Sequence, residues 1–235
     1  MNLIKKLLFV PLFILGTAVF AQKVNHDQWT TLLKTHVDSK GNVDYKGFKK
    51  NVNKLDAYLK TLSQNKPASN ASKNEKLAYW INVYNAFTVK LIIDNYPIKS
   101  IKDIKQPWDQ KFFNIGGETM SLNHVEHEIL RKMAEPRIHF AIVCASFSCP
   151  KLQNKAFTAH NLETQLTDAT KEFLADTNRN EISKNNIKIS KIFDWFSKDF
   201  TKNGSLIDFL NQYSDINISP NAKKRYKDYN WDLND

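Results

Sequence analysis

Apolar residues at three- and four-residue spacing dominate the first half of the chain, and that spacing predicts amphipathic helices. Residues 26–64 read as helical with one interruption. A helix around Trp29 to His36 ends at Ser39 to Tyr45, a turn or short hairpin containing Gly41 and Asn42. Lys46 to Leu62 resumes the pattern, with Phe48, Val52, Leu55, Leu59 and Leu62 on one stripe. Residues 63–74, rich in Ser, Asn and Lys and holding Pro67, form a surface loop. Glu75 to Asn95 is the strongest helix, stopped by Pro97 after Tyr96. Its apolar residues lie all round, so it is central and buried on most sides.

Residues 98–120 are mixed, with Gly116-Gly117 as a tight turn between two short strands. Ser121 caps a helix running to about Met133. Ile138 to Cys144 reads as a buried strand and residues 145–153 as a loop. Ala159 to Asp176 is another helix, and Ile187 to Ile189 a short strand. Ile192 to Phe200 and Ser205 to Tyr213 give two more helices. The predicted fold class is α+β, a mostly helical single domain over residues 22–235 with a small β-sheet.

The first 21 residues stand apart. A basic start with Lys5 and Lys6 precedes an apolar run from Leu7 to Phe20, and Val19-Phe20-Ala21 offers small residues for cleavage. That is the pattern of a signal peptide, and the run is short for a membrane span, which takes about 20 residues. The expected location is periplasmic or secreted, with the mature chain starting at Gln22 and no transmembrane segment within it. The formal charge is +10, falling to +8 without Lys5 and Lys6. Basic residues are spread along the chain, which reads as a lysine-coated surface rather than an anion-binding arm. No nucleic-acid module is visible.

Several residues point to chemistry. On the helix after Ser121, a rotation of about 100° per residue puts Leu122, Val125, Ile129 and Met133 on one apolar face. Glu126 falls inside that face, and His124, His127 and Arg131 fall opposite. A carboxylate on a core-facing stripe needs a partner. It is either an acid, base or orienting group with a shifted pKa, or half of a structural ion pair, for example with Arg137. In the segment Arg137 to Cys149, strand alternation makes His139 part-buried. Cys144 then stands roughly 17 Å from it along a straight strand, unless the chain curls back.

The two cysteines, Cys144 and Cys149, are five positions apart. In an oxidising compartment they form a local disulfide, or a nucleophile with a resolving partner. A metal site would need His139 and Glu126 as further ligands; two cysteines without a second pair do not specify zinc, so no metal and no cofactor is assigned. Trp80, Asn82 and Asn85 sit on the central helix. The two amides bind a substrate or a catalytic His, or tie the helix to a neighbouring loop. Asp194 and Asp199, within an aromatic cluster, read as solvent-facing or capping groups.

Taken in order, these blocks resemble the bacterial and plant proteins grouped as domain of unknown function 547. The blocks are Trp80 to Ala86, Leu122 to Arg131, Pro136 to Pro150, Ile192 to Phe196 with Asp199-Phe200, and the terminal Tyr229-Asn-Trp231. The resemblance covers about residues 60–233 and implies that Asn82, Asn85, Glu126, Arg137, His139 and Cys144 form one neighbourhood. It carries no settled activity. Two functions stay open. One is a thiol-dependent hydrolase or acyl transferase of the cell envelope, acting on a peptide or amide. In it Cys144 is the nucleophile, His139 the base or positioning group and Glu126 the orienting carboxylate. Asn82 or Asn85 serves the oxyanion, and Arg137 and Trp80 help to bind substrate. The other is a non-catalytic binding module for an unknown small-molecule or peptide ligand, with Cys144 bonded to Cys149.

Overall fold

A computed structural model describes residues 24–235. The leader expected at residues 1–21 lies outside the described residues. The fold is a mostly helical α+β arrangement with two small sheets.

Helices α2 (Tyr45–Lys50) and α3 (Val52–Gln64) pack on α4 (Lys73–Asn95), and α1 (Asp27–His36) packs on α2 and α3. Ser72 starts α4 through a capping box with Glu75, which satisfies orphan amides at both ends of the box. Burial of α4 is nearly continuous from Leu77 to Ile93, as its unbroken apolar perimeter requires. It ends where Tyr96 turns extended ahead of Pro97. The predicted helix over Lys46 to Leu62 is in fact two, with Asn51 between them.

Strands β1 (Phe113–Ile115) and β2 (Glu118–Met120) pair antiparallel. The expected Gly116-Gly117 turn joins them, with both glycines at positive φ, a region that L side chains rarely adopt. Helix α5 (Leu162–Ala175) then leads to a three-stranded sheet in the order β3 (Glu181–Ile182), β4 (Asn186–Ile189), β5 (Lys223–Tyr226). β3 and β4 are antiparallel, whereas β4 and β5 are parallel. The short helices α6 (Ile192–Trp195), α7 (Ser197–Phe200) and α8 (Leu206–Asn211) fill the crossover between β4 and β5.

The core falls into two clusters. The larger gathers around α4; the smaller is built on Phe140, Phe173, Phe193, Phe200 and Phe209. Phe140 therefore joins the segment after residue 135 to the second cluster, and its backbone neighbours face the first.

That segment is not the strand expected from its apolar run. Pro136–Phe140 is a 3-10 helix, and an irregular loop follows. Glu135 caps the turn by accepting from the Arg137 amide, and Pro136 sits at its first position, where a missing N–H costs nothing. Beyond the turn, Asn85 on α4 replaces a neighbouring strand. Its Nδ2 donates to the Ala141 carbonyl at 2.8 Å and its Oδ1 accepts from the Val143 amide at 2.9 Å. A short apolar run buried on both sides does not distinguish strand from buried helix, and this one is a tight helical turn.

Candidate functional site

The chain between Ser121 and Leu130 winds as a π-helix over His124–Leu130. Its i→i+5 bonding widens each turn, so the α-helical projection fails here. Val125 and Leu130 still face the core with Glu126. His127 and Arg131, which the projection set on the far side, swing toward the same space as Glu126.

Arg131 organises the polar end of that space. Its Nε and Nη2 donate to the two oxygens of Asp199 at 2.6 and 3.0 Å, and its Nη1 donates to His127 Nδ1 at 2.9 Å. His139 Nε2 lies 2.8 Å from Asp199 Oδ2. A carboxylate only accepts, so Nε2 carries the proton. Nδ1 of His139 then has no protein hydrogen-bond partner among the described residues. Burial alone would raise Asp199, but the hydrogen bonds from His139 and Arg131 outweigh it and hold the carboxyl far below its usual range. Burial lowers His139, against the pull of Asp199, so the ring is neutral near pH 7. It stacks on Phe196 with centroids 4.0 Å apart. Asp199 was expected to face solvent or cap a helix; it is instead the shared acceptor of a cation and an imidazole.

Glu126 is buried, with 7% of its surface exposed. Its carboxyl is pushed up to about 7 by burial, moderated by a hydrogen bond from Tyr84 and by the charge of Arg131. Arg137 does not pair with it. Arg137 donates to Glu135 and Glu163 at 2.5 to 2.8 Å, because the 3-10 turn aims it at α5. Glu126 therefore meets a donor on α4 rather than a buried cation.

Cys144 and Cys149 are paired at disulfide distance, with α-carbons 6.2 Å apart. Ala145 at φ +61° lets the loop fold back to bring them together. The C-terminal segment closes over this loop. Asp232 accepts from the Phe147 amide at 2.7 Å, and Asn230 donates its amide to Ser148 at 2.9 Å. Ser100 on the other side donates to the Trp231 carbonyl at 2.7 Å. So held, Tyr229 and Trp231 pack on each other and on Trp195 with centroids 4.6 to 5.8 Å apart.

These elements enclose a cavity of about 200 Å³. Glu126, His127, His139 and Cys144 line its polar side; Trp108, Trp195, Phe196, Tyr229 and Trp231 wall the rest. Trp195 is 46% exposed, which places a bare indole at the mouth.

Of the residues singled out from sequence, Glu126, His139 and Cys144 meet at the cavity. The curl of the 3-10 turn brings His139 and Cys144 to one cavity, which a straight strand would have prevented. Asn82, Asn85, Arg137 and Trp80 do not line it. Asn82 holds both backbone groups of Phe157, at 2.7 and 3.1 Å, as Asn85 holds residues 141 and 143. Trp80 is buried edge-on to Tyr79. The residues missed were Asp199, His127, Tyr84, Ser146 and Tyr229. All five lay within the blocks that carried the family resemblance, which was the signal available for them.

No curated protein and no solved structure matches the chain. Residues 68–174, which run from the loop before α4 through the π-helix and the cysteine loop to the last turns of α5, match the family described as "Protein of unknown function, DUF547", and that segment of the chain belongs to the family.

Proposed function

We propose that the chain binds a small amide- or peptide-type molecule in this cavity and acts on it as a hydrolase or acyl transferase. The observation that carries the reading is one cavity holding an imidazole fixed by a carboxylate and a second carboxyl whose pKa is about 7. Groups titrating near the working pH are those that transfer protons well. His139 Nδ1 takes the proton of the attacking group, and Asp199 stabilises the imidazolium that forms. Glu126, part-protonated at neutrality, supplies a proton to the departing nitrogen. Cys144 is the nucleophile once its bond to Cys149 is open, since only a thiolate attacks. The aromatic walls bury the apolar part of the substrate.

A second reading is a non-catalytic binding module. The pairing of Cys144 with Cys149 favours it, because both thiols are then consumed. A periplasmic or secreted location fits both readings, supported by the leader pattern and by the cysteine pairing. Protein recovered from the envelope should then begin near Gln22, and an intact Met1 start would count against export.

The deciding experiment offers N-acetyl amino-acid p-nitroanilides to the protein with and without dithiothreitol, alongside His139→Gln and Cys144→Ser. Release of nitroaniline only after reduction, lost in both variants, supports the enzyme. Quenching of tryptophan fluorescence by N-acetylphenylalanine amide with no turnover in either redox state supports the binding module. Neither turnover nor quenching would overturn both.

A further inference from the structure

The bond between Cys144 and Cys149 faces the cavity, and its two sulfurs are not equivalent. Cys144 is half-buried, whereas Cys149 is only 2% exposed. A group entering the cavity therefore meets Cys144 first. One backbone donor is directed at the other sulfur alone: Cys149 Sγ stands 3.0 Å from the Cys144 amide. The Ser146 and Tyr229 hydroxyls reach both sulfurs, at 3.3 Å from Cys149 Sγ and at 3.3 and 3.4 Å from Cys144 Sγ. Burial pushes Tyr229 up to about 12, so it keeps its proton and remains a donor. Ser146 is fully buried and stands 3.2 Å from Tyr229; each hydroxyl has one proton, so when Ser146 donates to Tyr229 it is Tyr229 that donates to sulfur. Arg179 holds the loop in shape by donating to the carbonyls of Cys149 at 2.6 Å and Phe147 at 2.5 Å.

Hydrogen bonds to an ionised acceptor are stronger than those to a neutral one. The amide held on Cys149 alone, and hydroxyls placed to turn to whichever sulfur is ionised, thus favour a Cys149 thiolate over its bonded form. A thiolate of lowered pKa is also the faster leaving group in exchange. A bond serving only as a staple requires neither donors placed to receive a thiolate nor a cavity open to one of its sulfurs.

We propose that Cys144–Cys149 is an exchangeable disulfide that oxidises small thiols, or a cysteine side chain of a peptide, entering the cavity. This activity shares the cavity with the acid–base reading above but not its chemistry. A substrate thiolate attacks Cys144 Sγ, the bond between the two protein sulfurs breaks, and its electron pair leaves on Cys149. The substrate is now joined to Cys144. A second substrate thiolate attacks the substrate sulfur of that mixed disulfide, and Cys144 leaves as a thiolate. Two thiols become one disulfide, the protein pair gains two electrons, and the two protons released by the thiols end on Cys144 and Cys149. The same step frees Cys144 as a nucleophile.

The test treats the native, folded protein with dithiothreitol, quenches with iodoacetamide and counts alkylated cysteines by mass. A parallel reaction with limiting free cysteine maps the mixed disulfide. Both cysteines should alkylate without denaturant, and the cysteine adduct should lie on Cys144. Tyr229→Phe and Ser146→Ala should each slow reduction by about fivefold, the effect of one hydrogen bond. Thiols that appear only in denaturant, an adduct on Cys149, or reduction as fast in both variants as in the parent would overturn the proposal. Mapping of the adduct needs no variant, so a misfolded substitution does not spoil the test. The readout is thiol state, which amide turnover does not alter, so exchange without turnover sinks the hydrolase alone, and an adduct on Cys149 with turnover sinks this proposal alone.

Discussion

Glu126 ties burial to proton affinity. Its carboxyl titrates at about 7 in the folded chain against 4.5 for an ordinary glutamate. The folded state therefore holds a proton that the unfolded chain has released, and stability falls with rising pH across that interval. The contribution is complete below about pH 4.5 and lost by about pH 7, with a span on the order of 3 kcal/mol. Glu126→Gln should flatten the profile and be more stable than the parent at pH 8, because the attraction of Arg131 is smaller than the cost of burying the charged carboxylate. Urea unfolding between pH 4.5 and 8 measures this; parallel profiles would refute it. Asp199 has the opposite sign. Its pKa is depressed, so its contribution is present above the ordinary carboxylate range and lost as pH falls through and below it. Asp199→Asn should cost about 1–2 kcal/mol at pH 7, less than a fully buried pair because Asp199 is partly open to water. It should also push the His139 pKa further down, which proton NMR of the imidazole would read. The carboxylate at 126 was legible in the sequence because it broke an apolar stripe. Asp199 was not, because nothing local distinguishes an aspartate bound to a residue 68 positions away from one in solvent.

Helices with an apolar face or an apolar perimeter could be read from the chain: α1, α4 and α5 lie within a few residues of where their spacing puts them, and α2 and α3 together fill the stretch read as one helix. Two elements resisted. The π-helix carries no sequence mark that separates it from an α-helix, so the rotation assumed for His127 and Arg131 failed. Residues 138–144 read as a strand because both faces are buried, yet their backbone partners are the side chain of Asn85 and the next turn. That arrangement makes Asn85 a structural residue. Asn85→Leu strands the buried Ala141 carbonyl and Val143 amide, at about 1–3 kcal/mol for each group left unpaired. Thermal unfolding should show the loss, and the cavity should loosen with it, since the same loop carries Cys144. A variant as stable as the parent would mean that the loop has another support. β5 was also missed: Lys223-Lys-Arg-Tyr has no apolar alternation, and it is a strand because β4 offers it an edge.

Across the whole molecule, the fold concentrates charge that appeared spread out. The parallel register sets Lys188 beside Arg225 and Asn186 beside Lys223, so two basic stretches distant in sequence share one sheet. Like charges directly opposite weaken a sheet. Lys188 already faces Glu181 on its other side, so the substitution that relieves the clash is on the edge strand: Arg225→Glu should stabilise the chain by about 0.2–1 kcal/mol at low ionic strength, and the gain should shrink in salt. The cavity is also a product of the whole chain. α4 gives Tyr84, the π-helix Glu126, the 3-10 turn His139, the following loop Cys144, and the last seven residues Tyr229 and Trp231. The terminal aromatics lie beyond residue 174, where the family match stops, so part of the cavity wall comes from chain outside the matched segment.

The claim that this cavity is an acid–base ligand site is tested most directly by carbon-13 NMR of the Glu126 carboxyl, titrated with and without N-acetylphenylalanine amide. The account predicts a midpoint at about 7 in the free protein and a displaced midpoint when the amide is bound. An ordinary midpoint near about 4.5, unmoved by the amide, would contradict it.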